Sequence, residues 1–201
     1  SKELEGDQLD KAVDPQLYYK RLSLMGACQV RLGAYEEAAR MLKEVVDAGT
    51  MAGASYYDAL LNLASTYLKI DDAGMQDKAI EYYREVLRVD HETQRRQGLD
   101  SLKAAAHVAL FKIYRSSEEL TSATDHLKAA IDLHPPIMRP SLLYELALLE
   151  PSEEQRRVLM AEIVGHVTAF DIRVGTRVGD SNFIDIVTAA DILAACARME
   201  P

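Results

Sequence analysis

The stretch LGAYEEAARMLKEVV, residues 32–46, joins two amphipathic segments across a Gly-Ala-Tyr turn. Gly33 is suited to stop a helix, because a glycine adopts the left-handed conformation of a helix C-terminus without strain. From Tyr35 to about Asp47, the spacing of Ala38, Leu42, Val45 and Val46 predicts a helix with one apolar stripe. Upstream, Asp14-Pro15 is a helix start: Asp accepts from the free amides of the first turn, and Pro has no amide to lose there. The first helix is expected to reach about Leu32, with Leu22, Met25, Gln29 and Leu32 on its packing face. Gly26 is the small residue that admits a neighbouring helix. Two such helices joined by a few residues make an antiparallel hairpin.

The design recurs. YYDALLNLASTYLKI places Leu60, Leu63, Ala64 and Tyr67 where the first hairpin has Leu22, Met25, Gly26 and Gln29. DKAIEYYREVLRVD then places Ala79, Tyr83, Val86 and Leu87 where it has Ala38, Leu42, Val45 and Val46. A third copy supplies Leu110 and Tyr114, then Ala123, Leu127, Ala130 and Ile131, and closes with Pro135. Three copies of one supersecondary unit imply an internal repeat.

These hairpins resemble tetratricopeptide repeats, whose pattern is a Leu-small-x-x-Tyr helix, a Gly-x-Tyr turn, spaced Ala, aromatic and Ala, and a closing Pro. The resemblance covers about residues 16–136 and implies an all-α, right-handed α-solenoid of stacked hairpins. Ala38, Ala79 and Ala123 lie 41 and then 44 residues apart, against a usual spacing of ~34. The extra residues fall in DDAGMQDK and HETQRRQGLD. In this length the repeats are similar to those of kinesin light chain and related scaffolds. Phe111 stands where the pattern wants a small residue, and Thr50 and His91 replace the closing Pro of the first two units.

Three regions are expected: a flexible segment over 1–14, three hairpins over 15–136, and C-terminal helices over 137–201 forming a degenerate fourth hairpin and a cap. RPSLLYELALLE reads as a short apolar helix. Ser152 with Gln155 reads as a capping box opening a helix from about Glu153 to Ala169. DIRVGTRVGDSN reads as a loop, and Phe183 to Arg198 as the last helix. The opening SKELEGDQLDKAVDP has the look of a cut from a longer protein, or of a tag scar.

Composition narrows the function. With 201 residues and 48% apolar content, the chain has enough to bury a sizeable core. Aromatic residues at 6% and the lack of Trp favour helix over sheet. A net charge of -9 argues against a nucleic-acid surface, which needs clustered cations to release counterions. Cys28 and Cys196 lie far apart with no metal spacing, which suits a reducing, cytoplasmic setting. No apolar run approaches the ~18 residues of a membrane span. The five histidines, His91, His107, His126, His134 and His166, show no ligand spacing, and His107, near the inner face of its hairpin, reads as a packed or solvated helix residue. The glycines from Gly175 to Gly179 follow no predicted strand, so no phosphate cradle or cofactor is expected. Glu36, Glu37, Glu118 and Glu119 sit in helix first turns, where negative charge favours the dipole. No base is placed to activate Cys28, and no catalytic constellation emerges.

Surface shape remains. The resemblance implies a groove lined by the first helices, here by Lys20, Ser23, Ala27 and Arg31, by Leu61, Asn62, Ser65 and Lys69, and by Val108, Lys112 and Arg115. Five of these eleven are basic, so an acidic partner segment would be steered to them if they converge. Some relatives in this family hold the carboxylate terminus of heat-shock chaperones. Here only Asn62 matches that set, with Ser23, Ala27, Ala105 and Ala109 at the other positions, so the donors for a terminal carboxylate are missing. The expected activity is a non-catalytic scaffold or adaptor binding a partner segment within a larger complex. The alternative is a structural or oligomerisation domain that uses C-terminal helices such as FIDIVTAADILAACA as its interface.

Overall fold

The computed structural model describes residues 11–169 apart from 71, 73 and 135–138. The chain divides into two compact units, Ser1–Leu102 and Lys103–Pro201. The fold is all-α, with no strand among the described residues. The expected N-terminal segment falls largely outside those residues, and the expected loop and last helix fall wholly outside them.

In the first unit, α1 spans Pro15–Leu32 and α2 spans Tyr35–Asp47. The start signal acts as expected: the Leu17 amide donates to Asp14 Oδ1 at 3.0 Å, with Pro15 at the first helical position. Gly33 ends α1 at φ 78°, and the Gly33 and Ala34 amides donate to the Val30 and Gln29 carbonyls at 3.1 and 3.0 Å. The chain thus reverses into α2, where Ala38, Met41, Leu42 and Val45 are buried. Gly26 is the contact point between the two helices. A Cβ built on it would lie 2.7 Å from Leu42 Cγ, closer than any side chain tolerates. Lys11 adds an ion pair to Glu44 at 2.9 Å, and the Tyr18 hydroxyl donates to the same carboxylate at 3.1 Å.

The first helix departs from the expected packing face. Its buried residues are Tyr19, Ser23 and Gly26, while Leu22 and Gln29 are half-buried and Met25 and Leu32 are exposed. The apolar period was legible, but α1 is apolar on more than one side and only one side has a neighbour among the described residues.

A short 3-10 helix, Gly49–Ala52, leads to α3, Ser55–Tyr67, and α4, Met75–Leu87. Helix α3 packs against α4, α2 and α1, and six of its residues are buried: Ala59, Leu60, Leu63, Ala64, Thr66 and Tyr67. Its partner α4 buries Ala79, Tyr83 and Val86. The insert HETQRRQGLD is itself helical, as α5, His91–Gln97. Asp90 caps it through bonds from the Glu92 and Thr93 amides at 3.0 and 2.9 Å, and Gly98 ends it at φ 64°.

Helix α6, Asp100–Ser116, carries the boundary between the units. It is buried almost all round from Lys103 to Tyr114, and Phe111, in the place of a small residue, is 1% exposed. In the second unit, α7, Leu120–Leu133, buries Ala123, Leu127 and Ala130. Its ring contact repeats one in the second hairpin: Tyr67 meets Tyr82 at 5.8 Å between centroids, and Tyr114 stacks on His126 at 5.4 Å. Helix α8, Arg139–Leu149, packs on α7 and on α9, Glu153–Ala169. Ser152 Oγ accepts from the Gln155 amide at 3.4 Å, as a capping residue should, but the Ser152 amide donates to Glu150 instead of Gln155.

Candidate functional site

Three kinds of place could carry function: buried polar side chains, surface depressions, and the first helices of the hairpins. One cluster of polar side chains is a histidine pair between α6 and α7. His107 Nδ1 lies 2.9 Å from His126 Nδ1, so one ring donates and the other accepts. Burial, then the neighbouring His126 and Lys103, lower the His107 pKa to about 4, which keeps the ring neutral. The contact ties α6 to α7, and His107, expected as a packed or solvated helix residue, is half-buried against His126. No group of three His, Cys, Asp or Glu side chains gathers as for a metal ion among the described residues.

The depressions are shallow. One is lined by Glu92, Gln94, Arg95 and Asp100 at the α5–α6 turn, where the Gln94 amide donates to the Asp100 carboxylate. Another lies along α9, at Glu153, Glu154, Arg157, Val158 and Ala161.

The residues assigned to a groove separate by unit. In the first unit, α1 and α3 pack together, so Lys20, Ala27 and Arg31 share one neighbourhood of helices with Leu61, Asn62 and Ser65. Lys20 and Arg31 are exposed, Ala27, Leu61, Asn62 and Ser65 are half-buried, and Ser23 is buried, so the last packs instead of presenting a surface. Lys69 is exposed just past the end of α3. The Ser65 and Thr66 hydroxyls both donate to the Asn62 carbonyl, at 2.9 and 2.6 Å, which ties up those hydroxyls. The Asn62 side-chain amide, by contrast, enters no hydrogen bond among the described residues.

In the second unit the picture differs. Val108 is 2% exposed and offers no open surface. Lys112 is exposed. Arg115 is paired with Glu145 of α8 and stands over the Phe111 ring at 5.7 Å. Its charge is therefore answered inside the unit. A partner 30 residues away leaves no local signal in the sequence.

Residues 59–97 match the family model of the tetratricopeptide repeat, a span holding most of α3, all of α4 and all of α5. No curated protein sequence matches the chain. No helix among the described residues is long and apolar enough to cross a membrane. The matched repeat and the helical hairpins together support a tetratricopeptide-type repeat protein, a class whose repeats are protein-protein interaction modules.

Proposed function

We propose that this protein is a non-catalytic scaffold or adaptor, holding an extended segment of a partner protein against the first helices of its hairpins within a larger complex. The observation that carries this reading is Asn62. Its amide is half-buried and unengaged among the described residues, beside Ser65 and Thr66 hydroxyls that are already engaged, so it suits bonding to a peptide backbone with both donor and acceptor. Leu61 beside it offers apolar contact. Lys20, Arg31 and Lys69 give the same region positive sign on a chain of charge -9, which favours an acidic segment. The free, exposed thiol of Cys28 suits a reducing, cytoplasmic setting.

A photocrosslinking residue placed at Leu61 or Ala27 should capture a partner protein, and the same residue at exposed Glu81 on α4 should not. Asn62→Ala should cut the yield from Leu61 about fivefold, the loss of one hydrogen bond. Equal capture from all three positions, or indifference to Asn62→Ala, overturns the reading.

The alternative interface on the C-terminal helices draws support from Leu148, Val158 and Val164, which are exposed on α8 and α9. The FIDIVTAADILAACA segment lies outside the described residues. Light scattering across a concentration series tests it: a constant monomer mass removes self-association through these helices.

A further inference from the structure

The outer face of α1 is an apolar stripe that no described element covers. Leu17, Leu24, Met25 and Leu32 are 48, 60, 52 and 77% exposed, and Cys28 lies among them at helical spacing. At 3.6 residues per turn these positions fall opposite the buried Tyr19, Ser23 and Gly26. Scattered exposed leucines need no explanation, but four large apolar side chains and a cysteine along one side of a helix, interrupted by Arg21, do.

The internal repeat shows what such a face is built to meet. In the register that sets Met25 on Leu63, Arg21 and Cys28 fall on Ala59 and Thr66. All three positions are exposed on α1, and all three are 0% exposed on α3. Helix α3 differs by packing against α2 of the preceding hairpin. That covering helix is amphipathic and acidic, with Glu36, Glu37, Glu44 and Asp47 against Arg40 and Lys43. Charge points to the same kind of occupant for α1. Its only charged residues are Lys20, Arg21 and Arg31, with no carboxylate. A second copy of α1 docked on the stripe would set cations against cations, whereas an acidic helix would meet them with opposite sign.

We propose that the stripe docks an amphipathic helix with acidic flanks, supplied by a partner protein, in the way α2 lies against α3. This surface adjoins the Asn62 region and shares Lys20 and Arg31 with it, but its ridge of Met25 and Leu32 lies outside that region, so the two readings can fail separately.

The test uses the whole chain and two labelled helical peptides carrying the same Leu ridge, one flanked by Glu and one by Lys. Fluorescence anisotropy should show the Glu-flanked peptide binding about tenfold more tightly at low salt, with the advantage shrinking as salt rises. Met25→Gln combined with Leu32→Gln should weaken that binding about tenfold without altering the melting temperature, since both side chains are exposed. Asn62→Ala should leave it unchanged. Equal affinity for the two peptides, or binding unaffected by the double variant, overturns the proposal. So does a dimer in sedimentation that the double variant dissolves, because the stripe would then belong to a second copy.

Discussion

Helices α1 and α3 are built from one pattern and end in different surroundings. Leu63 is 0% exposed and its counterpart Met25 is 52% exposed, although both occupy the apolar position before the small residue of their hairpins. Helix α3 lies between two hairpins' worth of neighbours, α2 on one side and α4 on the other, while among the described residues α1 has α2, α3 and the 3-10 helix. The sequence period of a helix reports how apolar it is on each side. It does not report how many helices arrive to cover those sides, and the burial of a repeat residue depends on its place in the stack.

The sharpest way to break this comparison is a paired substitution. Leu63→Gln puts an amide into a fully packed site, and urea denaturation should show a loss of about 3 kcal/mol or more from the lost apolar contacts and the buried polar group. Met25→Gln should stay within about 0.5 kcal/mol of the parent, as surface substitutions do. Similar losses at both positions would mean that α1's outer face is covered in solution.

A second pair concerns the small residues. Gly26 and Ala64 are counterparts, and the second hairpin accepts a Cβ there because Ala64 is fully buried without a clash. In the first hairpin Leu42 fills the space, with Cγ and Cδ2 at 2.7 and 2.9 Å from a Cβ on residue 26. Alanine would favour the helix by about 1 kcal/mol, but the overlap with a branch carbon that is itself fully buried should outweigh it. Gly26→Ala is expected to destabilise by about 1–2 kcal/mol in the same urea experiment. Adding Leu42→Ala should leave Gly26→Ala nearly without further cost, since the clashing branch is gone. A Gly26→Ala protein more stable than its parent would show that the hairpin relaxes freely.

Much of this was legible beforehand and the exceptions have particular causes. The α2 boundaries, the Asp14 cap, the Gly33 stop, the contact at Gly26 and the α9 start at Glu153 all rest on local chemistry, which a sequence displays directly. Helix α5 has the same kinds of signal, Asp90 before it and Gly98 after it, but its charged and polar residues show no apolar period and it passed for plain insert. The candidate site was less legible. Ser23 and Val108 turn out buried and Arg115 meets Glu145, because groove positions copied from a repeat pattern cannot show which side chains find partners inside the chain. Of the stripe on α1, Met25 and Leu32 were assigned to the packing face and are exposed, for the reason Met25 illustrates.

The third hairpin extends the comparison to pH. Aligning Leu63 with Leu110 and Tyr67 with Tyr114 puts His107 where the second hairpin has Leu60, and His126 sits where it has Tyr82. An apolar site has thus been given an ionisable ring, whose folded pKa is lowered from 6.5 to about 4 by burial and by His126 and Lys103. A histidine with a depressed pKa contributes stability above its unfolded value. That stability drains away as pH falls from 6.5 through 4, because the unfolded chain takes up the proton first. The ring keeps some solvent access, so the loss from His107 by pH 5 is expected at about 1 kcal/mol instead of the full linkage value. His107→Leu restores the residue of the second hairpin and removes that proton. Between pH 7.5 and 5 its melting temperature should fall a few degrees less than the parent's. Buried His134 and the carboxylates titrate in both proteins, so they cancel in the difference. If the two proteins lose stability in parallel, protonation at His107 costs the fold nothing, and the histidine pair is equivalent to the leucine and tyrosine it replaces.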